Sequence, residues 1–279
     1  MSLEINSILV VIDPTSDVQP ALTRACVVAN TTGASVLAYV CCFNPARVDD
    51  ESALERAEVA RHTAWLQKIV DTEKNAADNV AIRVEWNAGW REAVAAAAAA
   101  GGCDLIVKAT HWQSQASRRF LRTSDWEHMR AARCPVLFIK HEHVRPQRRI
   151  LMALNVSAPD AAHQRLNDDI ISVGKQVADS RDDIELHAVN AYPDSDHFVH
   201  PPDLAERAAI ERRFAHCIEG APGDVISEIA GDLEAELVIL GTVSRTGMAG
   251  ATKGNTAERA LDRIDADVLT IPFREVAPS

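Results

Sequence analysis

Apolar, strand-like runs alternate with amphipathic, helix-like runs along this chain, which predicts an α/β fold on parallel sheets. Two further observations extend that reading. The series is written twice at one register: Val136-Leu137 matches Val268-Leu269, and Ile106-Val107 matches Val238-Ile239, both at an offset of 132. The length of 279 residues gives each copy roughly 140, enough to bury a core of its own. The expectation is two domains, 1–141 and 148–279, each a mainly parallel five-stranded sheet with helices on both faces. Ligands of such sheets sit at the carboxyl ends of the strands.

In the first copy, Ser7 to Ile12 is a continuous apolar run that Asp13-Pro14 ends. Val18, Ala21, Leu22, Ala25, Val28 and Ala29 then recur at helical spacing, with Gly33 placed to stop the helix. Val36 to Val40 reads as the second strand, Glu51 to Asn75 as a charged helix, and Val80 to Val84 as a more polar strand. Arg91 to Ala100 is an alanine-rich helix closed by Gly101-Gly102. Leu105 to Val107 and Pro135 to Lys140 are strands, with a helix predicted between them over Asp125 to Arg133.

A short basic linker, His141 to Arg149, precedes the second copy. Ile150 to Leu154 is its first strand, ending at Asn155. Leu166, Ile170, Val173 and Val177 mark the following helix, and Ile184 to Val189 the next strand. A loop from Tyr192 to Pro202 leads to a helix from about Asp203, and a Gly220 to Gly223 turn leads to a helix from Asp224. The copy closes with a strand at Leu237 to Leu240, a helix near Thr256 to Ile264 and a strand at Val268 to Ile271.

The net charge of -11 disfavours a nucleic-acid or anionic-membrane surface, though not a local nucleotide pocket. The six cysteines include no CxxC pair and read as reduced thiols of a cytoplasmic protein. The first apolar run is too short for a signal peptide or a membrane span.

The stretch with most chemical content is Glu236 to Thr256, ELVILGTVSRTGMAGATKGNT. An apolar strand meets Gly241, three more glycines follow at 247, 250 and 254, and a helix-like run begins near Asn255-Thr256. Strand, glycine-rich loop and helix start together suit phosphate, because backbone amides can approach the anion and the first amides of a helix point at it. The same composition also describes a plain surface loop. It is neither a Walker A loop nor GxGxxG, and the chain has no GxSxG or HExxH.

Aligning the copies shows an asymmetry. Gly241 faces Ala109, Ser244 faces Trp112, Gly254 faces Arg122 and Asn255 faces Thr123. The first copy therefore lacks the glycines, and Trp112 is expected to obstruct the equivalent space, so nucleotide is expected in the second copy alone. All five tryptophans (65, 86, 90, 112 and 126) lie in the first copy. They read either as packing or as the walls of an apolar pocket. Lys108 reads as a sheet-edge lysine that extends its head to solvent. His141-Glu142-His143, and the loop holding Asp194, Asp196, His197 and His200, have metal-ligand chemistry but read better as solvated segments.

The whole chain resembles a tandem universal stress protein of the bacterial E type. The motif of nucleotide-binding members is Gly, two residues, Gly, nine residues, Gly, then Ser or Thr. Here it stands as Gly241, Ser244, Gly254 and Asn255, with spacing intact and two substitutions, and with Thr256 one place later. Thr123 to Trp126 and Arg133 to Val136 also resemble the first domain of the tandem type.

The resemblance implies two adenine-nucleotide α-hydrolase-like, Rossmann-like domains, with the strands at Val136 and Val268 pairing within the chain as a pseudo-dimer and further homodimers allowed. It implies a site for ATP or another adenine nucleotide, with Mg2+ as a companion ion. Asn155 would sit on the adenine or ribose side and Val189 would frame adenine through its backbone. Leu240 and Gly241 would line ribose and phosphates, and Ser244, Gly254, Asn255 and Thr256 would surround the phosphates. The implied role is a sensor or regulator in a stress response with unknown protein partners, and no catalysis beyond slow, incidental hydrolysis. The alternative is an interaction module, or a module for a small apolar ligand, with a decayed phosphate site.

Overall fold

The structure, a computed structural model, describes residues 3–46, 49–73, 79–110, 134–143, 148–158, 160–242 and 261–273. The chain divides into two compact units, one from Glu4 to Ile139 and the other from Lys140 onward together with Leu3.

The first unit runs β1 (Ser7–Val11), α1 (Pro20–Thr32), β2 (Ser35–Cys42), α2 (Glu51–Thr72), β3 (Val80–Trp86), α3 (Trp90–Ala100), β4 (Leu105–Ala109) and β5 (Val136–Ile139). Its sheet has the order β3-β2-β1-β4-β5, and every pair in it is parallel. In the central strand Ile8, Leu9 and Val10 are fully buried, as a strand covered by helices on both faces requires. Pro20 stands in the first turn of α1, where its missing N–H costs nothing. Gly33 ends the helix with φ +77°, the left-handed conformation expected at that position. Asp50 caps α2 by accepting from the Ala53 N–H at 2.8 Å.

The second unit runs β6 (Arg149–Leu154), α4 (Ala161–Asp179), β7 (Glu185–Tyr192), α5 (Pro201–Ala208), β8 (Ala215–Glu219), α6 (Pro222–Asp232), β9 (Leu237–Thr242) and β10 (Asp267–Pro272). Its order, β8-β7-β6-β9-β10, repeats the first, again with parallel pairs. The shared register is literal. Ile106 pairs with Val136 and Val238 with Val268, so the offset of 132 read from the sequence maps ladder onto ladder.

Three elements differ from expectation. The helix expected from Asp203 begins at Pro201 and stops at Ala208, because Ala209 turns left-handed (φ 51°). The chain then forms β8, a strand absent from the sequence reading: Ala215–Glu219, AHCIE, has too few β-branched residues to stand out as a strand. The helix expected from Asp224 already starts at Pro222, again in its first turn. The helix expected over Asp125 to Arg133 lies outside the described residues. Among those that are described, no helix is long and apolar enough to cross a membrane.

Candidate functional site

At the carboxyl end of each sheet's central strand the chain leaves the ladder, and in both units a buried side-chain amide holds it there. In the second unit Asn167, on α4 and 2% exposed, accepts from the Asn155 N–H at 3.0 Å and donates to the Asn155 carbonyl at 2.9 Å. In the first, Gln19, 6% exposed, accepts from the Asp13 N–H at 3.2 Å and donates to the Asp13 carbonyl at 2.7 Å. Two hydrogen bonds from one amide satisfy both backbone groups of Asn155, the first residue past β6, and of Asp13, the second past β1. Neither amide is conspicuous in the sequence. Asn167 interrupts the apolar stripe of its helix, and Gln19 precedes Pro20 at the start of its own.

Of the residues assigned to the nucleotide, four are described. The exposed Asn155 side chain stands at the end of β6, where its Oδ1 accepts from the Ser157 hydroxyl at 3.4 Å. Leu240 is buried in β9. Gly241 follows it and pairs with Ile271. A Cβ on Gly241 would overlap Leu166 Cδ2 and come within 2.5 Å of Leu166 Cγ. Close packing of α4 on β9 thus gives this glycine a structural reason of its own.

Val189 lies in the interior of β7, buried, in register with Ala153 on one side and His216 on the other. Asn190, its neighbour, pairs with Leu154 at the last rung of the β6 ladder, so the first β7 backbone beyond that rung belongs to Ala191. Ser244, Gly254, Asn255 and Thr256 lie outside the described residues, as do Trp112, Arg122, Thr123 and Trp126 of the first copy.

The residue that sequence reasoning missed is Asn190. It is fully buried. Its Oδ1 accepts from the Val156 N–H at 3.0 Å, which ties the loop after β6 to β7. Its Nδ2, by contrast, is a buried donor with no hydrogen-bond partner. Orphaned buried donors are rare in native folds. This one stands where the β6 ladder ends, opposite Leu154. The signal in sequence was a lone amide inside an apolar strand, AVNAY.

In the first unit the same edge encloses a cavity of about 770 Å3. Ile12 and Asp13 after β1, Phe43 after β2, Asn87 after β3 and Lys108 near the end of β4 all line it. Trp86 and Trp90 form part of its wall, and Phe43 meets Trp86 with ring centroids 5.2 Å apart. Trp65 is elsewhere, donating from Nε1 to Asp17 at 2.9 Å. Trp86 and Trp90 thus border the cavity, while Trp65 does not. Lys108, of intermediate exposure, donates from Nζ to the Ala109 carbonyl, 3.3 Å away.

On the far wall, Arg61 donates twice to Glu58 Oε2, at 2.9 and 2.7 Å, and Asn44 Nδ2 donates to Glu58 Oε1 at 3.1 Å. The Arg61 bond holds the Glu58 carboxyl below its ordinary range, with Asn44 adding to the effect. His62 lies between a guanidinium nitrogen at 3.1 Å and the Glu58 carbonyl at 2.9 Å. A guanidinium only donates and a carbonyl only accepts, so Nε2 is the acceptor and Nδ1 carries the proton. Burial, and next Glu85, push the Cys41 thiol up to about 11, so it stays protonated at neutral pH.

Two histidines meet on the outer strands of the second unit. His187 Nδ1 and His216 Nε2 are 3.1 Å apart, and the rings stack at 5.4 Å. Burial lowers the pKa of both, and for His187 the neighbouring His216 adds to it. The loop after β7 pairs Asp194 with His197 at 2.6 Å; that bond lowers the Asp194 pKa and raises that of His197. Among the described residues no group of three or more His, Cys, Asp or Glu could hold a metal ion.

Comparison with known proteins decides the family. The model described as "Universal stress protein family" matches residues 4–140 and again 145–272. The chain belongs to the universal stress protein family. Its two family domains match the tandem layout of the E-type relatives. Universal stress protein E of Escherichia coli K12 is 28% identical over 95% of this chain and 93% of its own length. A crystal structure of a functionally unknown protein from Pseudomonas aeruginosa PAO1 superposes with a TM-score of 0.73 at 28% identity, covering 97% of this chain and 94% of that one. A universal stress protein from Archaeoglobus fulgidus reaches the same TM-score at 14% identity, covering 98% of both chains, a likeness of fold alone.

Proposed function

We propose that this universal stress protein binds an adenine nucleotide, ATP or a relative of it, in its second domain, and that it acts in the cytoplasm as a sensor or regulator rather than a catalyst. The observation that carries the reading is the buried, unpartnered Asn190 Nδ2 where the β6 ladder ends, opposite Leu154. A base or ribose edge would give that donor its missing partner. Asn155 would meet the ribose side, the β7 backbone near Val189 would frame the base, and Leu240 and Gly241 would border the sugar. Ser244, Gly254, Asn255 and Thr256 keep the phosphate role that their spacing assigns, with Mg2+ as the companion of a triphosphate.

Bound nucleotide would stabilise the fold by mass action and shift the protein's choice of partner. Isothermal calorimetry with ATP tests this. One site is expected, lost in Gly254→Trp and weakened about tenfold in Asn190→Val, the loss of one good hydrogen bond (about 1.4 kcal/mol). Unchanged affinity in both variants overturns the assignment.

A further inference from the structure

We propose that the cavity of the first domain is a second ligand site, specific for an uncharged molecule with a flat ring system. The argument begins with its walls. Apolar and aromatic groups dominate one side, with Phe43 and Trp86 at an interplanar angle of 51°, an open wedge that a planar body can enter. Phe43 is 51% exposed, a large apolar surface at the mouth with no burial to explain it. At about 770 Å3 the space is the size that drug-sized ligands occupy.

The charges argue against an ionic occupant. Each charged group of the described lining already has a partner. Arg61 is held by Glu58, Glu58 also by Asn44, and Lys108 by the Ala109 carbonyl. Asp13 Oδ1 accepts from the Thr15 N–H at 2.8 Å and from its hydroxyl at 2.6 Å. Among the described lining residues, two acids and two bases leave a formal charge of zero. An anion at Arg61 would compete with Glu58, which already accepts from it twice. Ala109, where the second domain has Gly241, adds a side chain at the strand end that a phosphate would approach. The Cys42 thiol in the lining suits a neutral donor or acceptor.

The test uses the neutral naphthalene dye Prodan on the full chain. Trp86 and Trp90 stand in the cavity wall, so indole-to-dye energy transfer is expected for dye bound there. Saturable one-to-one binding with energy transfer is expected, unaffected by millimolar ATP and by Gly254→Leu. Phe43→Ser, at an exposed position that folding tolerates, and Ala109→Phe, which narrows the floor, should each weaken it fivefold or more. Circular dichroism confirms that each variant is folded; Phe43→Ser alone decides if Ala109→Phe is not. Absence of saturable binding, binding that folded variants leave unchanged, or displacement by ATP each overturns the proposal. None of these outcomes bears on nucleotide in the second domain, which calorimetry reads independently.

Discussion

The two domains share a sheet order, a ladder register and a buried amide at the same strand end, yet they differ in what that edge offers a ligand. The first presents aromatic rings and an Arg61–Glu58 ion pair. The second presents a glycine, exposed Asn155 and the unpaired donor of Asn190. At matched rungs, Val40 of β2 corresponds to Asn190 of β7, since each lies one rung past Tyr39 and Val189 in the parallel pairs. Duplication thus preserved the backbone, which the core enforces, and released the strand-end side chains, which it does not.

The largest expected effect comes from the shared amide. Asn167→Leu leaves the Asn155 N–H and carbonyl unpaired at a site with little water. Destabilisation should be roughly 3 kcal/mol, from two backbone groups at 1–3 kcal/mol each with partial relief by solvent. Gln19→Leu should cost a similar amount, measured by urea denaturation. A loss below about 0.5 kcal/mol in either domain would show that the resemblance of the two devices is only geometric.

Next is the contrast at Gly241 and Ala109. Gly241→Ala drives a methyl into Leu166 and should cost about 1–3 kcal/mol. Adding Leu166→Ala should recover part of that loss, a coupling readable in a double-mutant cycle. If Gly241→Ala is neutral, the glycine is kept for a ligand and not for the helix.

A third difference is pH. His187 and His216 have no titratable counterparts at their rungs, where the first domain has Leu37 and Arg83. Their folded pKa values lie below the ordinary value. The unfolded chain therefore takes up protons first as pH falls below about 6.5. Stability is complete above that value and declines beneath it. Glu185, 3.7 Å from His187 Nε2, moderates the decline. Urea midpoints between pH 7.5 and 5.5 should fall less in His216→Gln than in the unaltered protein. The smallest effect is local: Asp50→Ala removes a helix cap and should cost about 1 kcal/mol, seen as a lower midpoint in urea.

Much of this was legible in the sequence. Continuous apolar runs such as Ile8–Val11 and Leu237–Leu240 announce buried parallel strands, and a common offset exposes a repeat without any structure. Strand β8 was not legible, because AHCIE on the outer strand carries no clear period. The nucleotide residues were placed by resemblance to the family motif, which orders them along the chain but cannot say which side chain is buried. That is why Asn190 escaped notice while Val189 beside it did not. The cavity was half visible: the crowding of tryptophans into one copy hinted at it, but the pairing of Arg61 with Glu58 depends on the helix turn that brings them together.

The amide that grips each central strand's end has one more consequence. The chain just past a strand is ordinarily the part of an α/β fold that settles only when a ligand arrives. Here Asn155 and Asp13 are fastened beforehand, and their backbone N–H groups should resist hydrogen exchange even without ligand. Entry of a small molecule at either edge then forfeits little freedom of the chain.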